Sequence, residues 1–100
     1  MVNLRNHKYD ELIKKLIEIE QKGVGFIGEG SCDANHYIFG STSFFIPLNS
    51  APSAINLSNI EYTNCENLVV AKKNKYGFVV RAKVINSGLA HCYFNWEIVF

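Results

Sequence analysis

The residues with the most chemistry to offer are three cysteines and three histidines. Cys32, Asp33 and His36 stand close together in the chain, and His91 adjoins Cys92. Two thiolates and two imidazoles would serve zinc if the fold gathered them. Zinc sites, however, draw their ligands from closely spaced pairs, with about two to five residues between them. Neighbours on a strand point to opposite faces, so His91 and Cys92 do not turn toward one metal. No metal is expected. Cys32, with His36 or His91 as base and Asp33 as orienting acid, also has the residue types of a cysteine-dependent enzyme. It follows a run of glycines, where an exposed turn would present a reactive thiol. No local signature singles it out, and this reading stands as an alternative.

The stretch Gly23–Gly30, GVGFIGEG, contains G-x-G-x-x-G. A phosphate-cradling loop needs a strand before it and a helix after it, so that the helix N-terminus meets the anion. Here a helical pattern precedes and strand-like residues follow. The string therefore reads as a helix C-cap, a turn and a first strand, and no nucleotide or other cofactor is expected.

Two polar constellations remain. Lys72, Lys73, Lys75, Arg81 and Lys83, with Tyr76 at the tip, form a basic hairpin over residues 72–83. It could engage nucleic-acid phosphates and stack a base. With a net charge of only +1, lysines guarding an exposed edge are the preferred reading. Against it stand Glu29, Asp33, Glu61, Tyr62, Glu66, Tyr93 and Glu97, with Asn64 and Asn95 nearby in sequence. Tyrosines beside carboxylates and amides suit a protein-binding surface. The set Glu29, Asp33, Tyr62, Glu66, Tyr93, Asn95 and Glu97 is the candidate partner site.

Secondary structure must position these groups. Tyr9, Leu12, Ile13, Leu16 and Ile17 make one apolar stripe at helical period, predicting a helix over 7–22 capped by Asn6 and closed at Lys22–Gly23. After Gly30 the period becomes two. His36–Phe39 and Ser43–Ile46 read as short strands around a Gly40–Thr42 turn, 47–59 as a long loop, and Asn59–Thr63 as a brief strand. Leu68–Ile85 reads as a hairpin with Phe78, Val80, Ala82 and Val84 on one face. In the last strand Cys92, Phe94, Trp96, Ile98 and Phe100 face the core, while Tyr93, Asn95 and Glu97 face out. The expectation is an α+β fold: one N-terminal amphipathic helix packed on an antiparallel sheet of about five or six strands. Trp96 would lie beneath the helix, against Leu12, Leu16 and Val80.

The totals agree with one domain spanning 1–100. At 48% hydrophobic and 19% charged residues, the chain can build a core and is not disordered. The longest uncharged stretch, Tyr37–Ile60, is broken by Gly40, Pro47 and Pro52, so no membrane helix is expected. MVNLRNHKYDEL has no apolar signal core, and an odd cysteine count fits reduced thiols in a cytoplasm. Elimination leaves binding rather than catalysis. Together with the Asn-, Lys- and Ile-rich, bacterial or phage-like usage, it points to an immunity- or antitoxin-type inhibitor. Such a protein would cover the active site of a partner enzyme, for example a toxin nuclease.

Overall fold

The computed structural model describes residues 22–44 and 47–100. Six strands run through them: β1 (Lys22–Cys32), β2 (Tyr37–Ser43), β3 (Ala54–Thr63), β4 (Cys65–Asn74), β5 (Gly77–Val84) and β6 (Gly88–Val99). They form two three-stranded antiparallel sheets, ordered β1-β6-β3 and β2-β5-β4.

The two sheets close on each other, and this overturns the expected helix-on-sheet architecture. No helix occurs among the described residues. The helix expected over 7–22 lies outside them, apart from Lys22, which opens β1 instead of closing a helix. An apolar sheet face needs a cover, and here the second sheet supplies it. Phe78 of β5 meets Trp96 of β6 nearly edge-on, with ring centroids 5.3 Å apart, and Phe44 lies 6.1 Å from the same indole. Trp96 is thus a core residue, held between Phe44 and Phe78.

The central strands carry the core by plain alternation. Phe78, Val80, Ala82 and Val84 of β5 are buried, as are Ala90, Cys92, Phe94, Trp96 and Ile98 of β6. All belong to one cluster that also holds Ile27, Ile38, Ile55 and Leu68. Phe100, expected in the core, lies just beyond β6 and is exposed.

The glycine string is a strand. Gly23 pairs with Trp96 and Gly25 with Phe94. Their inward faces are occupied by those two rings, which a Cβ at either position would strike. Large rings lying over strand glycines repair the packing that a missing side chain forfeits. Gly40 is likewise not a turn. It sits inside β2 paired with Val80, where a Cβ would run into Ile27 of the facing sheet. The stretch from Tyr37 to Ser43 is therefore one strand, and the expected turn at Gly40–Thr42 is absent.

Asparagines bend the long strands. Asn59 and Asn67 have positive φ, 47° and 57°, at the bulges that shift the register of β3 and β4. Asparagine tolerates that left-handed conformation better than most residues. β3 starts at Ala54, and the loop expected over 47–59 is shorter than the prolines and polar residues suggest. Asn64, at φ 56°, is the single residue between β3 and β4, where the chain leaves one sheet for the other. Its side-chain amide donates to the Asn86 carbonyl at 2.6 Å and to that of Leu89 at 3.1 Å. Its side-chain oxygen accepts from the Asn86 amide at 2.9 Å. One side chain thus ties the β3–β4 corner to the β5–β6 connection.

Candidate protein-binding face

Paired residues in a sheet share a face, so the register assigns every side chain on the outside of the β1-β6-β3 sheet. Four rows cross it: Gly28–His91–Thr63, Phe26–Tyr93–Glu61, Val24–Asn95–Ser58 and Lys22–Glu97–Asn56. The bulge in β3 after Ser58 sets Glu61 opposite Tyr93.

The middle of this face is aromatic. Phe26 and Tyr93 stand 4.7 Å apart between ring centroids at a tilt of 42°, and His91 lies 6.0 Å from Phe26 and 5.8 Å from Tyr93. The trio leaves Nδ1 of His91 buried without a hydrogen-bond partner among the described residues. Phe26 is 55% exposed, Tyr93 47% and Val24 76%. Such rings bury apolar area well against a partner and lose few rotamers in doing so. Two carboxylates, Glu61 and Glu97, flank them against one ammonium, Lys22. Beside Glu97 a hollow of about 490 Å³ opens, lined by Lys22, Gly23, Val24, Ser58, Asn95 and Glu97.

The candidate set read from the sequence is divided by the fold. Tyr93, Asn95 and Glu97 come together on this outer face. Glu29 and Asp33 do not join them: Glu29 sits at the bulged far end of β1, and Asp33 lies in the following turn, 3.8 Å from the imidazole of His36. Tyr62 pairs with Cys92 and so points to the other side of the sheet from Tyr93. Its hydroxyl accepts from the Leu68 amide at 3.0 Å, which bridges β3 to β4. Glu66 belongs to the other sheet, paired with Lys83. Asn64 is a corner brace. Phe26, Val24, His91 and Glu61 join the face; only the β1–β6 pairing reveals Phe26, and the glycines around it hide that pairing in the sequence.

The alternative nucleophile is placed differently from expectation. Cys32 is buried at the end of β1, where its thiol donates to the Glu29 carbonyl at 3.5 Å, while Asp33 and His36 face each other in the exposed turn beyond. Cys65 and Cys92 are also buried and free. Burial pushes the Cys65 thiol up, and it pushes that of Cys92 up to about 11, with the charge of Cys65 adding to the effect. The Cys65 thiol donates to the His91 carbonyl at 3.1 Å.

Among the described residues no group of three His, Cys, Asp or Glu side chains could hold a metal ion. Among them, too, no helix is long and apolar enough to cross a membrane. No known protein family, curated protein or solved structure matches this chain.

Proposed function

We propose that this protein is a small binding inhibitor of the immunity or antitoxin kind, which neutralises a partner enzyme through the outer face of its β1-β6-β3 sheet. The observation that carries the reading is the half-exposed Phe26–Tyr93 pair beside Glu61 and Glu97. Aromatic anchors hold a complex, and a carboxylate rim steers a positively charged surface onto it. A nuclease presents such a surface, because its cleft must hold phosphates. The hollow beside Glu97 would admit a lysine or arginine side chain from that cleft. The three free thiols support a reducing, cytoplasmic setting.

Capture from a host lysate tests the reading when run in parallel with the parent protein, Tyr93→Ala and Glu97→Lys. The parent should recover a protein whose nuclease activity appears only after the complex is dissociated. Both variants should recover far less of it. Equal recovery by all three, or a recovered protein without masked activity, would overturn the proposal.

A further inference from the structure

The outside of the second sheet carries a different chemistry. Four rows cross it: Tyr37–Lys83–Glu66, Phe39–Arg81–Val69, Ser41–Val79–Lys72 and Ser43–Gly77–Asn74. Tyr37 is 49% exposed and Phe39 58%. They stand two residues apart on β2 and therefore on the same side, each beside a cation of β5. The Arg81 guanidinium lies over the Tyr37 ring, 5.3 Å from its centroid. Three cations, Lys72, Arg81 and Lys83, face one carboxylate, Glu66. Beyond this face Lys75 and Tyr76 extend the basic, aromatic character to the β4–β5 tip, with the ammonium 5.2 Å from the ring centroid.

From this arrangement we infer that the outer face of the β2-β5-β4 sheet binds single-stranded nucleic acid, with bases stacked on Tyr37 and Phe39 and phosphates held by Lys72, Arg81 and Lys83. A sheet face with two exposed rings at strand spacing matches the requirements of unpaired bases, which offer π-faces whatever their sequence. The roughly 6–7 Å between alternate residues of a strand is a span that neighbouring unstacked nucleotides can bridge. Cations in the adjacent strand then lie where the backbone would run. Charge decides against a protein of ordinary composition, since the face is cationic. The rings decide against duplex, whose bases are already stacked on one another. This surface is on the opposite side of the sandwich from the Phe26–Tyr93 face, and its variants leave that face intact.

The test is fluorescence anisotropy of the intact protein with a labelled oligothymidylate and an oligouridylate of about 15 nucleotides, over a salt series. Binding to either strand should weaken with a log–log salt slope near −2, as expected for about three phosphate contacts on a single strand. Phe39→Ala should weaken it roughly 5- to 150-fold, the loss of one stacked base. Arg81→Glu should weaken it and flatten the slope. An oligodeoxyuridylate of the same length, which differs from the oligouridylate only in the 2′-hydroxyl, shows whether that group is read. Circular dichroism checks that each variant keeps the parent fold. The inference is overturned if Phe39→Ala and Tyr37→Ala bind like the parent, or if a duplex or polyglutamate binds as tightly as the single strands. Self-association abolished by Arg81→Glu, without nucleic-acid binding, would also overturn it and make a second copy of the chain the occupant.

Discussion

The rings of Phe26 on β1 and Tyr93 on β6 face each other 4.7 Å apart across a strand pair, on the side of the sheet away from the core. Rings in this position do little for the interior, yet they hold each other in place on the surface. A double-mutant cycle on unfolding with Phe26→Ala and Tyr93→Ala should give a coupling of about 0.5–1.5 kcal/mol. Coupling indistinguishable from zero would mean the rings are not held together in solution.

Trp96 is the opposite case, buried between Phe44 and Phe78. Trp96→Ala should cost about 3–5 kcal/mol in urea unfolding, a large share of the roughly 5–15 kcal/mol that holds a domain of this size. A native-like midpoint would contradict the packing of the two sheets.

Gly25 and Gly30 separate two roles for glycine on one strand. A side chain at Gly25 would strike the Phe94 ring, whereas nothing lies within 4 Å of the Cβ position at Gly30. Gly25→Ala should therefore cost about 1–3 kcal/mol by overpacking, and Gly30→Ala should stay within about 0.5 kcal/mol of the parent. Equal effects at the two positions would contradict the placement of Phe94 over β1.

These contrasts separate the strands that are legible in the sequence from those that are not. On β5 and β6 the buried set, Phe78 to Val84 and Cys92 to Ile98, could be read directly, because a half-buried strand alternates apolar and polar residues. The outward placement of Tyr93, Asn95 and Glu97 came with it. On β1 the inward positions are Gly23 and Gly25, which carry no side chain, so the alternation that marks a strand is missing there. Their packing is done by Trp96 and Phe94, far away in the chain. Asn59 marks a bulge inside β3 and Gly40 a close approach inside β2, although both look like turn residues locally. The second sheet's aromatic face stayed hidden because Tyr37, Ile38 and Phe39 are all apolar, and only pairing with Arg81 and Lys83 shows that Ile38 alone points inward.

Asn64 should be the most sensitive asparagine. Asn64→Ala loses three side-chain hydrogen bonds and places alanine at φ 56°, for an expected loss of about 2–3 kcal/mol. Asn64→Gly accepts that φ and loses only the hydrogen bonds, so it should cost less. The order of the two midpoints in chemical denaturation checks the corner.

The thiols set an alkaline limit. The Cys92 thiol is raised from 9.0 to about 11 by burial and by Cys65. Below pH 9 it is protonated in both folded and unfolded chains, and its contribution is fully present. Between about pH 9 and 11 the unfolded chain loses this proton while the folded chain keeps it, so stability falls as pH rises. The loss is roughly 3 kcal/mol over the whole interval, at about 1.4 kcal/mol per pH unit. Cys92→Ala should start less stable at neutral pH and show a shallower decline across this window. A decline as steep as the parent's would assign the effect to other groups.

The central claim is that the Phe26–Tyr93 face, with its carboxylate rim, holds a basic partner. Its most direct measurement is the association and dissociation rate of the captured partner with the parent, Tyr93→Ala and Glu97→Lys, at low and at physiological salt. The account predicts that Tyr93→Ala speeds dissociation by about 30-fold, equivalent to about 2 kcal/mol at a central anchor. Glu97→Lys should mainly slow association, most strongly at low salt where screening is weak. Parent-like rates for both variants, with binding lost instead in Arg81→Glu or Lys83→Glu, would contradict it and move the partner to the other sheet.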